Sequence, residues 1–214
     1  MDKIIIVGAG GFGREVQWLI ERINKTCKTW DLLGFIDDGI AKGTIINGIP
    51  VLGTVKDLID NKEEIAVACA VGASATRKKI IQQLKSNNNI AFPNLLDPSV
   101  LMSSSIKLGI GDIICAGSIL TVNIVIDDFV IINLDCTIGH DAELQSFTTL
   151  YPNVNVSGNV FIGTESELGT GTKIIQQVNI LNNTIVGAGA IVIRDIPSGC
   201  VAVGNPAKPI KFLK

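Results

Sequence analysis

His140 and Asp141, neighbours in the stretch I-G-H-D, are the residue types best suited to moving a proton. An imidazole with a reference pKa of ~6.5 accepts a proton at neutral pH, and a carboxylate beside it stabilises the charged ring and fixes its orientation. His140 is the single histidine of the chain, which excludes a multi-histidine metal site and a histidine relay. Adjacent residues of a strand point to opposite faces, so the pair works only where a turn brings the two side chains together. A second set lies near the start. In VGAGGFGRE, Gly8, Gly10 and Gly13 fit G-x-G-x-x-G, a turn that lets a backbone approach phosphate oxygens at a helix N-terminus; without a ligand it is simply a tight strand-to-helix turn. Asp37 and Asp38 close a later strand, where nicotinamide-dinucleotide enzymes carry the acid that bonds a ribose.

Two kinds of element must position these groups. Up to residue 97, strand-like runs (KIIIVGAG, LLGFIDD, EIAVACAVG) alternate with helical ones (GREVQWLIERI and ATRKKIIQQLKSN), and VKDLID suggests a further helical turn. That β-α-β order predicts a small Rossmann-like parallel sheet with covering helices, over residues 1–97. From residue 98 to 214 the period changes. Stepping by six from Met102 through Leu108, Ile114 and Leu120 to Val186 and Val192 gives sixteen aliphatic positions without a miss. A hexad of this kind predicts a parallel β-helix, with one inward aliphatic side chain on each of three short sides per coil.

Composition narrows the function classes. Of 214 residues, 47% are hydrophobic and 18% charged, with a net charge of -2. No basic stripe and few aromatic residues are available to track a phosphate backbone or stack bases, so nucleic acid is not an expected partner. No apolar run reaches the ~18 residues of a spanning helix, and the N-terminus lacks a signal-peptide core, so a cytoplasmic protein is expected. Five dispersed cysteines with no C-x-x-C pair signal neither a disulfide framework nor a zinc site, and no metal is expected.

With both halves in hand, the chain resembles the hexapeptide-repeat acyltransferases that modify bacterial nucleotide-linked amino sugars, together with their sialic acid O-acetyltransferase-like relatives. GAGGFGRE, FIDD at 35–38, AVGASATRKKI at 70–80, NLDCTIGHD at 133–141, VSGNVFIG at 156–163 and VGNPAKPI at 203–210 carry the resemblance, in that order. It implies an N-terminal domain that binds a sugar nucleotide and a left-handed β-helix that binds acetyl-CoA between subunits of a homotrimer. It further implies direct acetyl transfer to the amine of a UDP- or dTDP-linked sugar used in surface glycan or glycoprotein synthesis. In this resemblance His140 is the general base and Asp141 its partner. Gly10, Gly11, Phe12, Asp37, Asp38, Gly72, Ala75 and Asn133 face the sugar nucleotide. Thr149, Gly158, Thr170 and Ala188 meet acetyl-CoA, Gly158 through its backbone N–H, and Lys208 is a candidate for a CoA phosphate. Some relatives carry a second histidine where Thr149 stands here. Three other readings stay open: O-acetylation of sialic acid or another sugar hydroxyl, an NAD-dependent oxidoreductase built on the glycine turn, and a noncatalytic β-helix scaffold.

Overall fold

The computed structural model describes residues 1–213, which form two compact units dividing between Pro98 and Ser99. The first unit is a six-stranded sheet with helices. Its elements are β1 (Asp2–Val7), α1 (Gly11–Thr26), β2 (Trp30–Ile36), β3 (Ile45–Ile46), β4 (Ile49–Gly53), α2 (Val55–Ile59), β5 (Ile65–Cys69), α3 (Ser74–Leu84) and β6 (Ile90–Ala91). The strand order is β3-β4-β2-β1-β5-β6, parallel throughout except for the β3–β4 hairpin. β1 and β5 are neighbouring interior strands, and Ile4, Ile6 and Val67 in them are almost wholly buried, as the continuous apolar runs of a sheet covered on both faces require. Val16, Leu19 and Ile20 turn the apolar stripe of α1 inward. Arg22 on the same helix makes a bidentate ion pair with buried Asp97, at 2.5 and 2.9 Å.

The β3–β4 hairpin was not anticipated from the sequence, although its signal is there. Asn47-Gly48 forms the two-residue turn, both residues with positive φ (46° and 80°), between the pairs Ile46–Ile49 and Ile45–Pro50.

The second unit is a parallel β-helix, left-handed as in the family described below. Each coil has three two-residue strands. One side is built from Ile113–Ile114, Ile131–Ile132, Thr149–Leu150, Glu167–Leu168 and Ile185–Val186. The second carries Leu101–Met102, Ile119–Leu120, Thr137–Ile138, Asn155–Val156, Lys173–Ile174 and Ile191–Val192. The third carries Lys107–Leu108, Val125–Ile126, Glu143–Leu144, Phe161–Ile162 and Asn179–Ile180. Partners in successive coils are 18 residues apart, as in Thr137–Asn155, so three hexads make one coil. The second residue of each strand points inward, which is the sixteen-position aliphatic series of the sequence. All of that series from Ile114 to Val192 is buried. Four residues further on, at the corners, small side chains also point inward. Thr148, Ser166, Thr172 and Thr184 are fully buried there, and each hydroxyl donates to a corner carbonyl, at 2.6 Å from Thr148 to Gln145 and 2.7 Å from Thr172 to Gly169. A buried hydroxyl without such a partner would cost about 1–3 kcal/mol, and these four corner hydroxyls avoid that cost.

Corner geometry is repetitive as well. Asn123, Asp135, Asp141, Asn153, Asn159 and Asn183 all take positive φ between 54° and 59°. Asn and Asp tolerate this left-handed region better than other side chains, which explains their frequency at these corners.

Candidate active site

In the first unit, three loops meet at the C-terminal edge of the parallel sheet, the edge where open α/β sheets bind ligands. They follow the adjacent strands β2, β1 and β5. The loop after β1 holds Gly8 at φ 98° and leads through Gly10 into α1. A Cβ at Gly13 would collide with the Gly8 carbonyl oxygen, so the third glycine of the motif lets helix and strand approach. Above Gly10 nothing lies within 4 Å of a built Cβ, and at Gly11 only the Arg14 guanidinium comes within 4.0 Å. Gly10 caps α1 without a side-chain hydrogen bond, which leaves the first-turn N–H groups uncapped by side chains.

Both aspartates after β2 are tied to their own domain. Asp37 Oδ2 accepts from Ala9 N–H and Oδ1 from Gly39 N–H, each at 2.9 Å. Asp38 Oδ1 accepts from Val55 N–H at 2.8 Å, at the start of α2. Asp37 thus braces the glycine turn, a role the sequence reading did not give it. After β5, Arg77 is 1% exposed and donates to the carbonyls of Val71 (2.7 Å) and Gly72 (2.9 Å), holding that loop from beneath while Ala75 stays exposed on α3. Phe12 is half-buried in the first turn of α1.

In the second unit, His140 and Asp141 occupy the corner between Thr137–Ile138 and Glu143–Leu144. Asp141 adopts φ 57°, and this left-handed residue turns two consecutive side chains toward each other. His140 Nδ1 lies 2.8 Å from Asp141 Oδ2, with both side chains about half exposed (56% and 46%). The condition left open by the sequence is met by the corner. Asp141 Oδ1 accepts from the side-chain amide of Asn123, one coil earlier, at 3.2 Å. The His140 bond first, and then the Asn123 bond, hold the Asp141 carboxyl below the usual carboxylate range.

Gly158 lies one coil after His140, directly against the imidazole. A Cβ there would fall 2.5 Å from Cε1 and 2.9 Å from Cδ2 of the ring, and closer still to Nε2. Among the described residues, Nε2 of His140 and the N–H of Gly158 have no hydrogen-bond partner. A free ring nitrogen, oriented by a carboxylate from behind and set beside a free backbone donor, can take a proton and stabilise a nearby oxyanion.

The remaining residues singled out in the sequence lie elsewhere on the coil. Thr170 and Ala188 stack in successive coils at the corner that precedes the second side, and that side separates them from His140. Asn133 is 7% exposed, and its side-chain oxygen accepts from Leu134 N–H at 2.7 Å. Thr149 is 1% exposed and opens the two-residue strand Thr149–Leu150 on the first side of the coil. Lys208 opens the antiparallel C-terminal strand Lys208–Phe212, opposite Val203. Among the described residues no helix is long and apolar enough to cross a membrane, and no cluster of three His, Cys, Asp or Glu side chains could hold a metal ion.

Residues 3–84 match the family model described as the PglD N-terminal domain. The acetyltransferase domain of PglB from Neisseria gonorrhoeae FA1090, solved in complex with acetyl coenzyme A, superposes with a TM-score of 0.90. It is 34% identical over 97% of this chain and 98% of its own. The chain belongs to the hexapeptide-repeat amino-sugar N-acetyltransferase family. This acetyltransferase is also similar to PerB from Caulobacter crescentus, solved in complex with CoA and GDP-perosamine, with a TM-score of 0.86 and 29% identity over 99% of this chain and 98% of that one. GDP-perosamine N-acetyltransferase of Escherichia coli O157:H7 is 27% identical over 99% of this chain and 97% of its own length. The enzyme is thus an acetyl-CoA-dependent sugar acetyltransferase by family, with the fold its hexads anticipated.

Proposed function

We propose that the enzyme transfers acetyl from acetyl-CoA to the free amine of a nucleotide-linked amino sugar, with His140 as general base. One observation carries this reading: the imidazole bonds Asp141 through Nδ1 at 2.8 Å while Nε2 stays free against Gly158. The sugar amine attacks the thioester carbonyl. As the N–C bond forms, His140 Nε2 takes the amine proton, and the Gly158 N–H stabilises the tetrahedral oxyanion. Collapse breaks the C–S bond, and the proton passes from His140 to the departing CoA thiolate. No covalent enzyme intermediate is needed. Asp141 keeps Nδ1 protonated and offsets the charge of the transient imidazolium.

The nucleotide half of the acceptor fits the sheet edge, where Gly10 and Gly11 leave open space next to Phe12 in the chain and α1 supplies N–H groups to a diphosphate. Asp37, Asp38, Gly72, Ala75 and Asn133 belong to the same acceptor reading, with Asp37 acting by bracing the turn. Thr170 and Ala188 stand on a different corner from His140, which fits acetyl-CoA lying between copies of a homotrimer, against the base of one and the small residues of the next. The reading carries with it a cytoplasmic enzyme of surface glycan or glycoprotein sugar synthesis.

The sequence reading favoured UDP- or dTDP-linked acceptors, whereas two relatives are named for or bound to GDP-perosamine. Purified enzyme with acetyl-CoA and a panel of UDP-, dTDP- and GDP-linked 4-amino sugars, read by mass spectrometry beside His140→Ala, tests base and acceptor together. An N-acetylated product lost in the variant is expected. Acetylation only of sugar hydroxyls, or an undiminished rate in His140→Ala, overturns the reading.

A further inference from the structure

We infer that Asn123 is a positioning residue for the base, its side-chain amide holding the carboxylate that in turn orients His140. The geometry is a ladder through three successive coils along one corner. Ser105 Oγ accepts from Asn123 N–H at 2.9 Å, Asn123 Nδ2 donates to Asp141 Oδ1 at 3.2 Å, and Asp141 Oδ2 meets His140 Nδ1 at 2.8 Å. The main chain locks the same rungs together, since Asp141 N–H donates to the Val122 carbonyl at 3.1 Å.

Three features make this more than a corner asparagine. An amide nitrogen only donates, so Asn123 demands an acceptor at Oδ1 and leaves Oδ2 to the histidine. The two carboxylate oxygens then have different fixed partners, and the group cannot rotate without losing one of them. With Oδ2 held as an acceptor, the neutral imidazole keeps its proton on Nδ1 and its lone pair on Nε2, the nitrogen that faces Gly158. The bond is also not an automatic result of the left-handed corner. Asn159, one coil after Asp141, has nearly the same φ (54° against 56° for Asn123), yet its side chain has no hydrogen-bond partner among the described residues.

The catalytic half of this inference rests on His140 being the base, so the test includes a readout that does not. Because the chain has one histidine, nitrogen NMR of the full-length protein labelled in histidine reports its tautomer without overlap. Asn123→Gly removes the amide and keeps the left-handed backbone accessible. It is expected to lower the Nδ1–H fraction of the neutral ring and to reduce kcat about 5-fold, the factor that corresponds to losing one hydrogen bond, with KM for acetyl-CoA and sugar unchanged. In an Asp141→Ala background the same replacement is expected to have no further effect on kcat. Should Asn123→Gly lower the thermal midpoint, Asn123→Asp, nearly the same size but without the donor, takes its place. An unchanged tautomer, or losses that multiply independently in the double variant, would overturn the inference. Undiminished transfer by His140→Ala would sink the base assignment alone, and the tautomer shift would still decide the role of Asn123.

Discussion

Gly158→Ala isolates the contact on which the proposed chemistry turns. The new methyl carbon would stand 2.5 Å from Cε1 and 2.9 Å from Cδ2 of His140. Carbon atoms rest at about 3.5–4.0 Å, so the ring must retreat by about 1 Å, or rotate off Asp141. Displacing a catalytic group by about 1 Å costs on the order of 100-fold in rate. Folding should be nearly indifferent. Gly158 does not have positive φ, so alanine fits its backbone, and the nearest atoms a methyl would meet belong to the half-exposed imidazole. Gly→Ala at a compatible site gains about 0.4–1 kcal/mol through the unfolded chain, which works against any loss from the crowded ring. The expected variant has kcat lowered by about two orders of magnitude and a thermal midpoint within a few degrees of the parent. Release of CoA thiol, followed continuously with the acceptor from the panel, gives the rate, and calorimetry gives the midpoint. A folded variant with kcat within 3-fold of the parent would refute the placement of the imidazole over residue 158 during catalysis.

Two further expectations concern thiols and acid. Burial pushes the Cys69 thiol up to about 12 and Cys136 up to about 11, and raises Cys200, while Cys115 is buried and Cys27 exposed. An aromatic disulfide reagent should therefore titrate one thiol in the folded protein and five in denaturant; rapid reaction of two or more before unfolding would contradict the packing. At the start of α2, the backbone N–H and then the hydroxyl of Thr54 hold the Asp57 carboxyl below its usual range. A carboxyl depressed by folding contributes stability above its unfolded value of ~3.9 and loses it as pH falls through the lower folded value. The difference in thermal midpoint between parent and Asp57→Asn should accordingly be present at neutral pH and close as pH is lowered from about 4 toward 2; a gap that ignores pH would mean the capping box is not formed.

Much of the architecture is written locally. Aliphatic side chains six apart, from Met102 to Val192, can share an interior only if the chain turns after every short strand, and that requirement alone specifies the solenoid. The glycine turn and the strands and helices around it follow from apolar period and from Gly8, Gly10 and Gly13. The Asn47-Gly48 turn is legible as a dipeptide, but the two-residue β3 strand it joins to β4 is too short to show an alternating pattern. His140 could be picked out as the sole histidine, beside a carboxylate, at a repeat corner.

What chain order could not supply is contact across coils. Asn123 meets Asp141, and Gly158 meets His140, only because three hexads close into an 18-residue coil that stacks residues 18 positions apart along the chain. The pairing of His140 with Asp141 depends on a single left-handed φ of 57°, a backbone choice that Asp permits but does not compel. Asp37 bracing the glycine turn likewise arises where segments distant in the chain pack. Periodicity and residue type thus determine which elements form and where a reactive side chain can project. Only the folded coil decides which of its groups the imidazole meets, because hydrogen bonds and steric contacts depend on distances in space that the linear spacing does not contain.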